Sequence, residues 1–253
     1  MLEYLDRIPV YSLIQQASQL GHYKAFITFW KEFVPNWSLL VDRGKIFHVP
    51  AMVDLERFSP NGPKFSFGSK GGNPNILIFD NWREDTTPYN VIHAAIRFIK
   101  NRVSAGKIHL FGLHSDKKIL DKYMGFLAEQ GFIGHAWSFV DFVQEILRSA
   151  DMLVTPHVIA TRVIRESLAC GCPVVAGGGC PYTPYRADPR NEADFARAME
   201  KCWFDVLCKK DDLREQSRKT AEEQFSLKAA GEKMIQICEF AMQEKRTGIR
   251  LHA

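Results

Sequence analysis

Residues 150–176 read ADMLVTPHVIATRVIRESLACGCPVVA, and this stretch decides the fold. Its apolar run at 152–154 stops at a Thr-Pro pair, which is typical of a buried parallel strand that ends in a loop. Thr161 then offers a helix N-cap hydroxyl, apolar residues follow at helical spacing, and Gly171 stands where such a helix would end. A second apolar run comes directly afterwards. The stretch therefore predicts strand, loop, helix and strand.

The loop and the helix start would lie at the carboxyl edge of a parallel sheet, where open α/β sheets bind their ligands. A helix N-terminus offers free N–H groups and the positive end of the helix dipole, so it favours an anion. Glu166 lies about one turn into the predicted helix, within reach of a ligand hydroxyl. These observations predict an anion site at Thr161 with a carboxylate beside it.

The same stretch resembles the donor-site signature of the retaining glycosyltransferases of family 4, which have the GT-B fold. Residues 166–175, ESLACGCPVV, match the second half of that signature. The first half departs from it, because Val158 stands where the family has a first glutamate. Residues 50–60 also match the segment that crosses between the two domains of the family. The resemblance implies that Glu166 binds the ribose of a nucleoside-diphosphate sugar.

Strand and helix patterns alternate from residue 76 to residue 149, as expected for a parallel sheet with helices on both faces. Right-handed crossovers would wind these elements into a Rossmann-like domain. These patterns predict an α/β protein with an N-terminal helical hairpin and C-terminal helices, and the resemblance implies that its Rossmann-like part is one GT-B half-domain. The predicted boundaries are residues 1–45 for the helical segment and 46–253 for the Rossmann-like nucleotide-sugar-binding domain.

The predicted hairpin consists of amphipathic patterns at residues 10–20 and 23–33. Residues 1–45 leave no room for a first Rossmann domain, which would need more than about 100 residues. Three explanations stay open: a separate chain supplies the acceptor domain, the sequence is a fragment, or the hairpin is a reduced substitute. The resemblance also implies that the terminal helix can cross back to the other domain.

Two arginines are candidates for holding the donor diphosphate. The resemblance places an arginine and then a lysine after the first strand of the domain; Arg83 matches the arginine, and the lysine is lost. A surface ion pair with Glu84 or Asp85 is the alternative for Arg83. Arg162 opposes the helix dipole in the first turn, so a bound anion would explain it, and it could replace the lost lysine. A solvated arginine is the alternative for Arg162.

Aromatic and imidazole side chains follow other strands at the same edge. His157 lies at a strand exit, where it could touch a phosphate or the sugar, or have only a structural role. Trp82 and Trp137 could flank the base or pack in the core. The predicted catalytic residues are Arg83 and His157, and the predicted donor-binding residues are Glu166, Thr161, Arg162, Trp82 and Trp137.

Composition and the absence of certain motifs argue against several other classes of protein. The formal net charge of +4 is weak and dispersed, which argues against specific nucleic-acid binding. The sequence has no 18-residue uncharged apolar run and no signal peptide pattern, so we predict a cytoplasmic protein with no transmembrane segment. No Gly-x-Gly-x-x-Gly fingerprint indicates a nicotinamide or flavin cofactor. No cysteine spacing fits zinc and no Asp-x-Asp occurs, so no metal or cofactor is predicted.

The resemblance implies a retaining glycosyltransferase, or its donor-binding half, that transfers a sugar from a nucleoside-diphosphate sugar to an unknown acceptor. One alternative is a non-catalytic or degenerate nucleotide-sugar-binding subunit that acts with a separate acceptor-binding chain. The missing first glutamate and the missing domain both favour that alternative. Another is an unrelated Rossmann-like module that binds a different phosphate compound.

Overall fold

The computed structural model describes residues 18–79, 89–112, 125, 127–138 and 140–248. The chain divides into two compact units. The smaller unit draws on residues 1–52 and 224–253, and the larger unit is formed by residues 53–223.

The smaller unit contains a two-stranded parallel sheet. Strand β1, Phe26–Thr28, pairs with strand β2, Ile46–His48, and a short helix α1, Val34–Trp37, lies between them in the chain. The second helix of the predicted hairpin is therefore wrong, because residues 26–28 are extended and pair with β2. The first predicted helix lies largely outside the described residues, although 18–20 are helical.

The larger unit contains a six-stranded sheet. Its strands are β3 (Asn75–Phe79), β4 (Lys107–Phe111), β5 (Ile133–Ala136), β6 (Met152–Val154), β7 (Val174–Gly177) and β8 (Tyr185–Ala187). The strand order is β5-β4-β3-β6-β7-β8, and every neighbouring pair is parallel. The predicted α/β, Rossmann-like class is confirmed. Strand β8 is not among the predicted strands.

The other helices are α2 (Tyr89–Arg102), α3 (Val143–Ser149), α4 (Arg162–Ala169), α5 (Glu192–Phe225) and α6 (Leu227–Gly248). Non-helical backbone at Lys209 divides α5 into two parts, which correspond to the helices predicted at 191–206 and 211–223. The helix predicted at 116–130 lies mostly outside the described residues.

Helix α6 belongs to the smaller unit, where Ala230 and Ile237 pack on Val49. The rings of Phe47 and Phe240 meet with centroids 5.1 Å apart. Both β2 and α6 are thus grouped with the N-terminal residues, whereas the sequence-based boundary at residue 46 assigns them to the Rossmann-like domain. The apolar faces of the two elements explain the grouping, because each covers the other.

The strand order reverses between β3 and β6. From β3 the chain runs outward through β4 to β5, and it then returns to β6 on the other side of β3. In open α/β sheets, ligands bind in the crevice outside the carboxyl ends of the strands at such a switch point. All three residues of β6 are buried, so the strand fixes the start of the loop that follows it.

Arg148 on α3 holds the irregular segment that precedes the sheet. Its buried guanidinium donates to the carbonyl oxygens of Ser59 (2.6 Å), Arg57 (3.0 Å) and Pro63 (3.2 Å). Gly62 has a φ of 122°, and a Cβ there would lie 2.8 Å from Nη1 of Arg148. Residues 53–67 form neither helix nor strand, so the Arg148 side chain supplies some of the hydrogen bonds that regular secondary structure would otherwise make.

His109 in β4 is fully buried and neutral. Its Nδ1 accepts a hydrogen bond from the backbone N–H of His135 (3.1 Å), so Nε2 carries the proton and donates to Oδ1 of Asn75 (3.1 Å). The ring of Phe67 lies against it, with centroids 4.2 Å apart. Burial, and then the charges of His135 and Lys107, lower the pKa of His109 to about 3.

We expect acid to destabilise the larger unit through His109. The unfolded imidazole binds a proton near pH 6.5 and the folded one only near pH 3, so the stability that this residue contributes is complete above pH 6.5. It is then lost as the pH falls toward 3, by about 1.4 kcal/mol per pH unit. Urea unfolding at about pH 7, 5.5 and 4.5 measures the slope, which His109→Gln should reduce. The exposed His22→Gln is the control; an unchanged slope in His109→Gln would contradict this origin.

Candidate functional site

The loop between β6 and α4 packs against the end of β7. Thr155 is fully buried, and its Oγ1 accepts a hydrogen bond from the backbone N–H of His157 (3.4 Å). The N–H of Gly177 donates to the carbonyl oxygen of His157 (3.0 Å). A Cβ at Gly177 would lie 2.3 Å from the carbonyl oxygen of Pro156, so glycine is needed for the two loops to approach. This packing positions the backbone of His157 at the carboxyl edge; its predicted catalytic role stays a prediction.

Thr161 is the N-cap residue of α4, as the sequence predicts, but its side chain makes no capping hydrogen bond. Its backbone carbonyl oxygen accepts from the N–H of Arg165 (3.2 Å). Its Oγ1 is buried and has no hydrogen-bond partner in the described part of the chain. The first turn of α4 therefore presents backbone N–H groups without a side-chain cap, next to a hydroxyl with unused hydrogen-bonding capacity.

Glu166 is buried, with 5% of its surface exposed. Its Oε1 accepts a hydrogen bond from Nε of Arg162, one turn earlier, at 2.6 Å. The Arg162 side chain is 77% exposed, so the pair joins a buried carboxylate to the protein surface. Burial raises the pKa of Glu166, and the charges of Arg162, Arg165 and Arg57 oppose this shift. Glu166 thus lies neither on the solvent face of α4 nor in an apolar interior.

The positive charges of three arginines, Arg57, Arg162 and Arg165, act on Glu166, and we call these residues the arginine cluster. Nη1 of Arg165 donates to the carbonyl oxygen of Ala160 (2.6 Å), while its buried Nε has no hydrogen-bond partner among the described residues. Burial lowers the pKa of Arg165. Nη2 of the exposed Arg57 donates to the carbonyl oxygen of Asp141 (3.2 Å). Net positive charge around a buried carboxylate suits a ligand that carries both hydroxyl groups and an anion.

Sequence reasoning misses two members of the cluster. Arg165 reads as a solvated residue from its position in the helix, yet it folds back toward the N-terminus of α4. Arg57 belongs to the crossing motif at 50–60, and only the folded chain brings it near Glu166. The one available signal is that Arg57 lies in the matching segment 50–60 and that Arg162 and Arg165 directly precede the matching segment 166–175.

Trp137 lies apart from this group. Its ring stacks on His135 (centroids 4.4 Å apart, 8° between planes) and on Phe111 (4.3 Å, 24°). It follows β5, which is three strand positions from β6, or about 14 Å across the sheet. The structure thus brings together Thr161, Arg162 and Glu166 but not Trp137. Trp82 and Arg83 lie outside the described residues, so their predicted roles stay predictions.

No family model and no curated protein matches this sequence. Solved structures do match the fold. A glycosyltransferase from Rickettsia africae superposes with a TM-score of 0.75 at 18% identity, covering 93% of this chain and 68% of its own. HepE of Anabaena, solved with UDP and glucose, superposes with a TM-score of 0.66 at 13% identity, covering 97% of this chain and 68% of its own. Sucrose-phosphate synthase from Thermosynechococcus elongatus superposes with a TM-score of 0.68 at 15% identity, covering 94% of this chain and 63% of its own.

These likenesses confirm the fold. The chain has the Rossmann-like architecture of GT-B glycosyltransferases, and it resembles the carboxyl-terminal half of such enzymes. It spans 68% of the Rickettsia protein and 45% of TarM, another structure that it matches with a TM-score of 0.67. In the described part of the chain, no helix has the length and apolar character needed to cross a membrane.

Proposed function

We propose that this chain binds a nucleoside-diphosphate sugar at the start of α4 and takes part in glycosyl transfer. The observation that carries the proposal is the buried carboxylate of Glu166, held 2.6 Å from Arg162 at the start of the helix that follows β6. Burying a carboxylate costs free energy that pairing with an arginine does not always repay, so one placed at the ligand edge of the sheet needs a functional reason.

Each part of the donor has a matching group. The diphosphate would lie on the uncapped N–H groups of the first turn, with the hydroxyl of Thr161 as a further donor. Arg162 would leave Glu166 and pair with the phosphates, and it would thereby take the role of the lost lysine. Glu166 would then accept hydrogen bonds from two ribose hydroxyls, which a single carboxylate can do.

The same groups would serve the transfer step. When the glycosidic bond to the diphosphate breaks, negative charge develops on the leaving phosphate oxygen. Arg162 and the helix N–H groups are positioned to stabilise that charge without a metal ion, in the manner of an oxyanion hole. Retention of configuration, metal independence and the catalytic roles of Arg83 and His157 are parts of this proposal.

Structural neighbours support uridine as the first base to test. HepE of Anabaena has been solved with UDP-glucose, and the pneumococcal O-GlcNAc transferase GtfA with UDP and GlcNAc. Both match this chain in fold, with TM-scores of 0.68 and 0.62. A binding comparison should therefore start with UDP and include GDP and ADP as alternatives.

A second candidate function is donor binding without catalysis, in partnership with a chain that supplies the acceptor site. Val158 favours it, because an apolar side chain that is 44% exposed stands where the family signature has a glutamate. An assay of UDP-sugar hydrolysis and transfer by the isolated chain separates the two candidates. Turnover would support the enzyme, and nucleotide binding without turnover would support the subunit.

Calorimetric titration with UDP, GDP and ADP tests the site. We expect one of the three to bind, and Thr161→Val to weaken that binding by about three- to tenfold, since it removes one hydrogen bond of about 1 kcal/mol. Thr220→Val is the matched control, because that exposed hydroxyl only donates to the carbonyl oxygen of Gln216 (2.9 Å). Failure of all three nucleotides to bind would overturn the proposal.

A further inference from the structure

A cleft lies between helices α2 and α5 on the surface of the larger unit. Its volume is about 610 Å³, and every residue that lines it belongs to one of these two helices. The floor is apolar, because Phe98 and Ala196 are buried there and Ala193 lies one turn before Ala196 on α5. The two alanines have short side chains, so the space between the helices stays open.

The walls of this cleft are cationic. Arg97, Lys100 and Arg102 line it from α2, and Arg197 lines it from α5. Glu200 is the one carboxylate among the lining residues, so the cleft has a formal surplus of three positive charges. Because the two helices hold these charges around one space, the cleft is a region of positive potential that attracts an anion.

Two of the four cations already have carboxylate partners. Nε of Arg102 lies 2.9 Å from Oε1 of Glu200, and this pair joins α2 to α5. Arg197 pairs with Asp194, three residues earlier on its own helix. These pairs are exposed or partly exposed, so they hold the walls of the cleft in place at little energetic advantage.

The other two cations are available to a ligand. Neither Arg97 nor Lys100 forms an ion pair with any carboxylate in the part of the chain that the structure describes. The ammonium group of Lys100 lies over the ring of Phe132, 5.3 Å from its centroid, and Arg97 is exposed. An anionic group that enters the cleft therefore meets two positive charges that it does not have to take from an acidic side chain.

The outer face of α5 continues the cleft with two large apolar side chains. Phe204 and Leu207 follow Glu200 by four and seven residues, and residues at this spacing are neighbours on one face of a helix. Their exposed fractions are 64% and 63%. The non-helical backbone at Lys209 ends this stripe two residues after Leu207. The apolar pair thus begins within about 10 Å of the charged cleft along the helix axis.

Cations beside exposed apolar side chains suit an anionic membrane surface. A soluble phosphate compound would use the cations but leave Phe204 and Leu207 in water. A second copy of this chain, packed by the same face, would bring like charges together, which is unfavourable. At a membrane, phosphate head groups attract Lys and Arg while apolar side chains enter the boundary between head groups and acyl chains. Both parts of the surface are then used.

We propose that the cleft between α2 and α5, with Phe204 and Leu207 beside it, docks the protein on a membrane that contains anionic lipids. The head-group phosphate of one lipid pairs with Arg97 and Lys100 above the alanine floor. Phe204 and Leu207 enter the head-group boundary next to it. The cleft shares no residue with the arginine cluster, so this surface is separate from the nucleotide site at α4.

Vesicle sedimentation tests the proposal on the full chain. The protein should sediment with phosphatidylcholine vesicles that contain about 30% phosphatidylglycerol and stay in solution with phosphatidylcholine alone. Arg97→Gln combined with Lys100→Gln should weaken binding to the anionic vesicles about thirtyfold, since each cation near the surface contributes roughly a factor of five. Phe204→Ser combined with Leu207→Ser should weaken it by about tenfold or more.

The matched control removes the same charge elsewhere on the larger unit. Lys64 and Lys70 are exposed lysines outside the cleft, and Lys64→Gln combined with Lys70→Gln should weaken vesicle binding by no more than about threefold. Urea unfolding of all these variants should match wild type, because every substituted side chain is exposed.

A fluorophore on Cys208 reports which face meets the membrane. Cys208 lies one turn after Phe204 and is exposed, Cys238 is the other exposed cysteine, and the remaining four are buried. In a Cys238→Ser background, an environment-sensitive fluorophore attached to Cys208 should shift its emission to the blue when anionic vesicles are added. The shift should disappear when Arg97→Gln and Lys100→Gln are introduced.

Several results would overturn the site. One is a lack of sedimentation with anionic vesicles at about 0.1 M salt, where surface charges are only partly screened. Another is an equal loss of binding in the cleft variant and in the Lys64 and Lys70 control, which would indicate attraction by overall charge. Binding of poly-glutamate in place of vesicles would indicate an acidic protein partner. A dimer in ultracentrifugation that Phe204→Ser with Leu207→Ser converts to a monomer would make this face an interface between copies.

Discussion

Replacement of Glu166 by alanine is expected to weaken UDP binding at least tenfold and up to about a hundredfold. A hydrogen bond to a charged group is worth about 1.5–3 kcal/mol, and 1.4 kcal/mol corresponds to a factor of ten in affinity. Glu166 is the one carboxylate in α4, and its Oε1 already accepts a bond from Arg162, the first residue of the helix, at 2.6 Å. Calorimetry on the purified variant measures the loss.

Glu223→Ala is the matched control for that experiment. Glu223 also forms an i,i+4 pair with a cation, Lys219, but both partners are largely exposed and the N···O distance is 3.9 Å. Its removal should leave UDP binding within a factor of two. Equal effects of Glu166→Ala and Glu223→Ala on binding would show that Glu166 does not contact the nucleotide.

Removal of the Glu166 charge is not expected to weaken folding at neutral pH, because burial raises the pKa of this group. The folded chain holds this proton more tightly than the unfolded chain does, so the stabilising effect is present below the pKa of the unfolded glutamate and disappears as the pH rises through that of the folded one. At neutral pH, ionisation of the buried carboxylate lowers the free energy of unfolding. Glu166→Gln should therefore unfold at the same or a higher urea concentration than wild type at pH 7.

The second large effect is expected at Arg148. Arg148→Met keeps the apolar stem but leaves the carbonyl oxygens of Ser59, Arg57 and Pro63 without their donor, and we expect the free energy of unfolding to fall by about 3 kcal/mol or more. Urea unfolding followed by circular dichroism measures the change.

The control is Arg97→Met, which replaces an exposed arginine on α2 and should change stability by no more than about 0.5 kcal/mol. Arg148→Lys adds a second comparison, since it keeps the charge but loses the planar fork that reaches several oxygens at once. If the lysine variant were as stable as wild type, charge rather than fork geometry would hold the segment. If Arg148→Met were as stable as Arg97→Met, the segment would depend on other contacts.

The elements that the sequence predicts well are those with strong local signals. β3, β6 and β7 contain continuous apolar runs, and β4 is apolar except at Lys107 and His109. Helix α4 is bounded by Thr161 and by Gly171, whose φ of 73° is the left-handed conformation expected after a helix. These local signals agree with the tertiary structure, so each element appears at its predicted place.

In the elements that the sequence does not predict, the local pattern and the tertiary structure disagree or the local pattern is weak. Aromatic residues from Tyr23 to Phe33 recur at helical spacing, but pairing with β2 makes residues 26–28 a strand, so a tertiary contact overrides the local pattern. β8 has only three residues and follows a segment with two prolines, so neither length nor apolar periodicity marks it.

The candidate site is predictable only in part for a similar reason. Glu166 and Thr161 stand in a recognisable motif, and their positions on α4 follow from it. The charge of Arg57 acts on Glu166 although the two residues are about 110 positions apart in the sequence, and Arg148 binds a segment about 90 residues away. Such pairings are properties of the folded topology, which no local pattern encodes.

The short contact between Arg162 and Glu166 has one more consequence for the resting molecule. Under the proposed function, a carboxylate that receives ribose hydroxyls would otherwise be a lone negative charge beneath the protein surface. The neighbouring guanidinium pairs with that charge, and nucleotide binding would exchange this partner for the hydroxyl groups of the ligand. Part of the binding free energy would then be spent on the exchange, while the carboxylate would have a partner both before and after it.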